Sequence, residues 1–322
     1  MNASKSTSAS RDGSSCLPNR EFKAVYKELK QLLPDQVRIQ EPMSQHTTFR
    51  IGGPADILVE PRTIAALRET ISYAKVKNIP VFVMGAGSNL LIRDGGIRGM
   101  VVKIGRHLAR IKIDGVVVMA EAGATLSHLA LTCCQASLAG FEFAVGIPGT
   151  VGGAVVMNAG AEGRAMSDVV QEVLVLNQKG CFDRLKKEDL GFGYRSSNLL
   201  DHNQIVVEVV CQGTPDQKER IQERQKKHLH HRQNTQPLMY PNAGSVFKNP
   251  PGFTAGYLIE QAGAKGRQIG AAKVSLKHAN FIINLGMARA KEVQDLISQV
   301  QEMVKQRFGI QLALEIQIVG ED

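Results

Sequence analysis

The residues best suited to chemistry in this chain are glycines gathered in two dense clusters. The first is Gly85-Ala86-Gly87-Ser88-Asn89-Leu90. The second is Gly146-Ile147-Pro148-Gly149-Thr150-Val151-Gly152-Gly153-Ala154, which runs on through Asn158 to Gly160. Without a Cβ, such loops can turn their peptide N–H groups toward an anion and let the backbone approach it closely. Two of them so near in sequence fit a backbone laid along a diphosphate or a flat ring better than a run of turns. The first loop is not a dinucleotide fingerprint. Leu90 stands where G-x-G-x-x-G wants its third glycine, and residues 91–99 have no helical period.

Other reactive side chains point to less. His228, His230 and His231 do not share one helix face, so no metal site is expected. The five cysteines (Cys16, Cys133, Cys134, Cys181 and Cys211) are odd in number and contain no C-x-x-C. That pattern signals reduced thiols in a cytoplasmic protein, not a disulfide framework or a zinc centre.

The loops need elements to hold them. A helix is expected over residues 21–33, ending before Pro34, then a strand over 55–59, a helix over 63–77 and a strand over 79–84. This is a β-α-β outline, and it delivers the first glycine loop at the end of its second strand. Strands follow over 100–104, 109–113 and 116–120, and a helix over 125–137 leads to the second loop. Strands over 169–177, 182–185 and 204–210 come next. Gly213-Thr214-Pro215 marks the best domain boundary. Beyond it lie a charged helix over 216–233, a helix over 255–262, a strand over 279–284, a helix over 289–306 and a terminal strand over 311–319.

Composition bounds the possibilities. Of 322 residues, 43% are hydrophobic and 21% charged, which excludes disorder of the whole chain. The apolar runs are strand-sized, so no membrane insertion is expected. A net charge of +9 suits an anionic ligand. Aromatics are only 5% and Trp is absent, however, so a nucleic-acid partner is not expected. Residues 1–20, with six serines and no apolar run, read as a disordered tail.

Five motifs in order make the chain recognisable: Thr47-Thr48-Phe49-Arg50-Ile51-Gly52-Gly53, the loop from Gly85 to Leu91, the loop from Gly146 to Gly153, Gly193-Tyr194-Arg195-Ser196-Ser197, and Gly244-Ser245-Val246-Phe247-Lys248-Asn249-Pro250. Together they resemble the UDP-N-acetylenolpyruvoylglucosamine reductase (UDP-N-acetylmuramate dehydrogenase) family over residues 21–319. The resemblance implies an α+β protein. Residues 21–215 would form an FAD-binding domain of the vanillyl-alcohol-oxidase-like (PCMH) type, and residues 216–322 a smaller substrate-binding domain. It implies a cytoplasmic flavoenzyme of peptidoglycan synthesis, with non-covalent FAD and NADPH, reducing the enolpyruvyl ether of UDP-N-acetylglucosamine to UDP-N-acetylmuramate. Only 49 residues separate Arg195 from Ser245, so the chain resembles the family's shorter (type II) form. A monomer is expected.

The resemblance also carries roles. Arg195, Ser245 and Glu315 would be catalytic: a fixed cation for an enolate, a proton donor, and a carboxylate orienting the arginine or the substrate. Tyr194, Lys248, Asn249 and His278 would contact substrate, with Lys248 on its diphosphate. Arg50, Gly85, Ala86, Gly87, Ser88, Asn89, Leu90, Gly146, Ile147, Pro148, Gly149, Thr150, Gly152, Gly153, Ala154 and Gly160 would hold FAD. The alternative is an oxidase or dehydrogenase of the same fold acting on an alcohol. Such enzymes often carry flavin on His or Cys, but His128, Cys133 and Cys134 fall in a helical segment here.

Overall fold

The computed structural model describes residues 19–177, 179–200 and 204–322, with side chains from residue 22 onward. The expected tail lies almost wholly outside them. Helix α1 (Asn19–Leu32) and strand β1 (Val37–Pro42) lead to β2 (Pro54–Val59), α2 (Ile64–Val76), β3 (Val81–Met84), β4 (Leu90–Ile92) and β5 (Ile97–Lys103). Next come β6 (Ile111–Asp114), β7 (Val117–Glu121), α3 (Leu126–Gln135), β8 (Leu138–Ala139), α4 (Val151–Val156), β9 (Gly160–Ala161) and β10 (Arg164–Ala165). Strands β11 (Val170–Leu176), β12 (Phe182–Lys186), β13 (Ile205–Gln212) and β14 (Thr214–Pro215) precede α5 (Lys218–Thr235). The last segment holds α6 (Ala255–Gln261), β15 (Gln268–Ile269), β16 (Ala272–Val274), β17 (Ile282–Asn284), α7 (Ala290–Phe308) and β18 (Gln317–Val319).

The β-α-β outline holds. Strands β2, β5 and β3 pair in parallel, with β1 antiparallel on the edge. Helix α2 starts where the sequence places it, because the Thr63 Oγ1 accepts the Ala66 N–H at 3.0 Å. A second sheet, ordered β12-β11-β13-β7-β6, is antiparallel throughout. Its inward Val118, Ala120, Val173, Val175 and Val209 join the buried face of the first sheet in one large core. The C-terminal segment folds β15-β16-β17 against α7, whose buried Val293, Leu296, Ile297, Val300 and Val304 fall on one helix face. The architecture is α+β.

Three features tie these units together. The C-terminal core includes Phe49, Ile51 and Leu91 from the first segment. Strand β18 pairs in parallel with β4. Helix α5 also faces the first unit: Gln225 donates to the Ala130 carbonyl at 2.9 Å, and Arg224 pairs with Glu142 at 2.7 Å. The expected division at 215/216 therefore leaves α5 in the second segment by sequence but packed on the first.

Some expected elements differ. The terminal strand over 311–319 is regular only at Gln317–Val319. Its earlier half bridges Phe247 through Leu314 and then changes partner to β4, which breaks the ladder. The strand expected over 279–284 shrinks to Ile282–Asn284. Strand β1 was not expected; its mostly exposed residues lack the apolar alternation of a buried strand. The second glycine cluster contains a helix, α4, capped by the Thr150 hydroxyl on the Gly153 N–H at 3.4 Å.

Candidate active site

Both glycine loops come to one place. A cleft of about 700 Å³ opens at the carboxyl ends of the parallel strands β3 and β5, where open α/β sheets commonly bind ligands. Gly85 and Ala86 line it from one loop and Thr150 from the other. The loops touch directly. Ser88 Oγ donates to the Pro148 carbonyl at 2.8 Å, and a Cβ on Gly85 would fall 2.2 Å from Thr150 Oγ1.

The glycines divide by purpose. A Cβ on Gly152 would meet the Ala122 Cβ at 2.7 Å, so close packing requires a glycine there. Gly87 has φ +65 and presses on the His46 carbonyl. Gly153, by contrast, is exposed and has only Thr150 Oγ1 nearby, at 3.5 Å. Gly105, also in the cleft wall, has nothing within 4 Å. These last two leave room for a ligand.

Sequence reasoning missed most of the cleft's charge. Lys103 ends β5, Arg106, His107 and Arg110 follow it, and all four line the cleft with His46 and Gly123. The signal that could have found them was the carboxyl end of a strand parallel to the one bearing the first loop. Lys103 Nζ lies 2.9 Å from His46 Nδ1, and His46 Nε2 lies 2.8 Å from Glu41 Oε1. An ammonium can only donate, so His46 Nδ1 is the acceptor of that contact. Arg106 pairs with no acid among the described residues. Open glycine backbone, a long cleft and an unmatched cation suit the diphosphate of FAD. His128, in the first turn of α3, also reaches the cleft wall, whereas Cys133 and Cys134 are buried. Burial pushes the Cys133 thiol up to about 12.

A second constellation lies beside the loops. Gly193 and Ser196 exchange backbone hydrogen bonds at 3.1 and 3.3 Å, making a tight turn that puts Arg195 at φ 54. Few non-glycine residues adopt that conformation. Asn158 fixes the turn by donating to the Gly193 carbonyl at 2.8 Å, and Ser197 Oγ donates to the Val156 carbonyl at 2.7 Å. From this platform Arg195 Nε donates to Glu315 Oε1 at 2.9 Å, and its Nη2 donates to the Gly160 carbonyl at 2.9 Å. The guanidinium carbon stands 5.2 Å from the centre of the Tyr194 ring.

Glu315 and Ser245 are set by the same piece of backbone pairing. Glu315 N–H donates to the Val246 carbonyl, and Lys248 N–H to the Ala313 carbonyl, both at 2.8 Å. Asn280 braces the other side: its side chain accepts from Phe247 N–H at 3.0 Å and donates to Phe247 carbonyl at 2.8 Å. Thr48 Oγ1 donates to the Asn242 carbonyl at 2.8 Å, fixing the start of the Ser245 loop. Burial pushes the Glu315 carboxyl up, while the Arg195 and Lys248 charges pull it down. The first glycine loop also grips this strand: Asn89 Nδ2 donates to the Glu315 carbonyl at 3.0 Å, and Gln317 N–H donates back to Asn89 at 2.9 Å.

The remaining expected residues scatter. Tyr194 Oη accepts the Asn249 N–H at 3.4 Å, linking two of them. Arg50 is exposed, and its carbonyl is 3.4 Å from Asn284 Nδ2. Gly146 lies against Arg232, and Gly149 beside Ser88. Leu90 and Ala154 are buried. His278 packs on Phe281 and Gly256, and its Nδ1 accepts the Asn280 N–H at 3.2 Å, so it reaches the site through Asn280.

Known proteins match both parts of the chain. Residues 236–319 match the family model for the UDP-N-acetylenolpyruvoylglucosamine reductase C-terminal domain, and residues 55–185 match an FAD binding domain. The chain is 49% identical over 301 residues to UDP-N-acetylenolpyruvoylglucosamine reductase of Desulforamulus reducens, covering 94% of this chain and 99% of that protein. It is 47% identical to the enzyme of Moorella thermoacetica over the same shares. The crystal structure of UDP-N-acetylenolpyruvylglucosamine reductase from Thermus caldophilus superposes with a TM-score of 0.77 at 36% identity, covering 88% of this chain and 98% of that one.

Proposed function

The chain belongs to the UDP-N-acetylenolpyruvoylglucosamine reductase family, and on that premise we propose how its residues carry out the FAD-dependent reduction of the enolpyruvyl sugar nucleotide in peptidoglycan synthesis. When bound, FAD supplies the hydride, with NADPH as the source of electrons. Gly85, Ala86, Gly105, Arg106, Thr150 and Gly153 would hold it in the cleft, and the other glycine-loop residues, with Arg50 and Gly160, would complete its surroundings.

Hydride arriving at the terminal vinyl carbon drives charge into the substrate carboxylate. Arg195 is suited to receive it: a guanidinium stays charged and can grip a carboxylate through two N–H groups. Glu315 and the Gly160 carbonyl fix its orientation before substrate arrives, so little reorganisation remains. Ser245 donates its hydroxyl proton to the carbon bearing the carboxylate, and solvent restores the proton. Tyr194, Lys248 and Asn249 contact the sugar nucleotide, the lysine at its diphosphate, with His278 supporting them. The observation that carries this reading is the Arg195–Glu315 pair held on the backbone ladder that also carries Ser245.

Ser245→Ala tests it. NADPH should still bleach the flavin at a near-normal rate, while the return of colour on adding enolpyruvyl substrate should slow by roughly 10²- to 10⁴-fold, the range of a lost general acid. Slowed bleaching with normal recolouring would sink the assignment. No helix among the described residues is long and apolar enough to cross a membrane. We place the enzyme in the cytoplasm as a monomer acting on small molecules; the free Cys133, Cys134, Cys181 and Cys211 support a reducing compartment. The His128 position favours one further check: the yellow colour should separate from the polypeptide on denaturation, as non-covalent FAD requires.

A further inference from the structure

Helix α5 buries Ile221 and Gln225, and His228 and Arg232 continue the same stripe half-buried, at helical spacing. Residues on such a stripe should be apolar or satisfied by the protein. Ile221 is buried and Gln225 donates to the Ala130 carbonyl. Arg224, on an adjoining face, is matched by Glu142 and Asp216. Arg232 is different. Its guanidinium makes no hydrogen bond or ion pair with any described residue, although burial depresses its pKa.

Its position explains what could match it. The Arg232 Cδ lies where a Cβ on Gly146 would come within 2.9 Å, so the arginine stem runs along the second glycine loop. One turn on, Gln236 Oε1 is buried without a partner. His231 Nε2 lies 3.8 Å from Glu162, two residues from the carbonyl that anchors Arg195. Lys277 of the C-terminal unit donates to the Gln233 carbonyl at 2.5 Å. This end of α5 therefore sits where the glycine loop, the Arg195 platform and the C-terminal unit meet. A half-buried guanidinium with no protein partner, its stem laid along a glycine loop, is available to an anion.

We propose that Arg232 is a phosphate-binding residue of this site, gripping oxygens of a nucleotide diphosphate seated along residues 146–149. The inference rests on the reading of the active site given above. Guanidinium is the side chain whose donors best match phosphate oxygens. Two diphosphates meet here, that of FAD and that of the sugar nucleotide, and one experiment separates them.

Full-chain Arg232→Gln and Arg232→Lys would be compared with wild type. The measurements are FAD dissociation on dilution of the holoenzyme, read by free-flavin fluorescence, and kcat and KM for the enolpyruvyl sugar nucleotide. Far-UV circular dichroism checks the fold. If FAD is the ligand, its dissociation constant should rise by about ten- to hundredfold in Arg232→Gln, the range of a lost charge-assisted hydrogen bond. If the sugar nucleotide is the ligand, KM should rise by that amount, with kcat and FAD affinity little changed. Arg232→Lys should fall between wild type and the glutamine variant, and it carries the same comparison should Arg232→Gln not fold. Both constants staying near wild type in a folded variant would overturn the proposal. A wild type that neither holds FAD nor reduces the substrate would instead overturn the reading beneath it.

Discussion

Glu315 is the residue whose chemistry is most exposed to its surroundings. Burial raises its carboxyl pKa more than Arg195 and Lys248 lower it. A carboxyl raised on folding binds its proton longer than in the unfolded chain, so its contribution to stability is full below the unfolded value and is lost as pH rises through the folded one. Glu315→Gln cannot titrate. The stability gap between the two proteins should therefore move in the variant's favour as pH climbs from about 4, the ordinary carboxylate value. Melting temperatures across that range check the sign, and a gap moving the other way would mean that the arginine outweighs burial. Arg195→Lys makes a second test at this scale. Lysine keeps the charge but cannot hold Glu315 and the Gly160 carbonyl through a planar fork, so turnover should drop by roughly 10²-fold or more. A variant with near-normal turnover would show that charge alone suffices.

Among the elements, the short pairing of residues 246–248 with 313–315 matters most, because it sets Ser245 and Glu315 together. Asn280 is its brace, buried and bonded to both backbone groups of Phe247. Asn280→Ala leaves both groups without their partner, at about 1–3 kcal/mol each. Denaturant midpoints should fall accordingly, and turnover should fall with them as Ser245 loses its fixed position. The second glycine loop makes a sharper comparison. Gly152→Ala forces a Cβ to 2.7 Å from the Ala122 Cβ and should destabilise the fold by about 1–3 kcal/mol, the range for overpacking. Gly153→Ala meets only Thr150 Oγ1, at 3.5 Å, and should melt near wild type while weakening FAD binding. Equal melting losses in the two would remove the distinction drawn between packing and ligand-facing glycines.

Over the whole molecule, the last residues of the chain close the site. Strand β18 lies beside β4 and the N–H of its first residue, Gln317, donates to the Asn89 carbonyl, so this strand and the first glycine loop stabilise each other. Arg98 pairs with Asp56 and Glu321, extending that seam. A chain ending at Ile316 should lose FAD affinity as well as stability, and amide exchange in residues 85–90 should quicken. Unchanged exchange there would show that the loop stands without the strand. The C-terminal core, meanwhile, takes in Phe49, Ile51 and Leu91 from the first segment, so thermal unfolding of the units is expected to be coupled.

The amino-acid pattern alone determined the elements whose signals are local. Thr63 caps α2 and Gly309 ends α7 because capping and left-handed turns depend on a few neighbouring residues. The five motifs likewise identified the family, and the structure places Arg195 Nε and Glu315 Oε1 in hydrogen-bond contact. Only the tertiary structure decided which glycines have open space beside them: Gly152 and Gly153 are chemically the same, and their difference lies in whether Ala122 or little but the Thr150 hydroxyl stands opposite. It also decided the charge of the cleft. Lys103 and Arg106 read as ordinary solvated cations along the sequence, since nothing within a few residues records what a strand end will be folded against. The terminal strand was shortened for the same reason. Its alternation was legible, but its exchange of partner from Phe247 to β4 depends on chain segments far away in sequence.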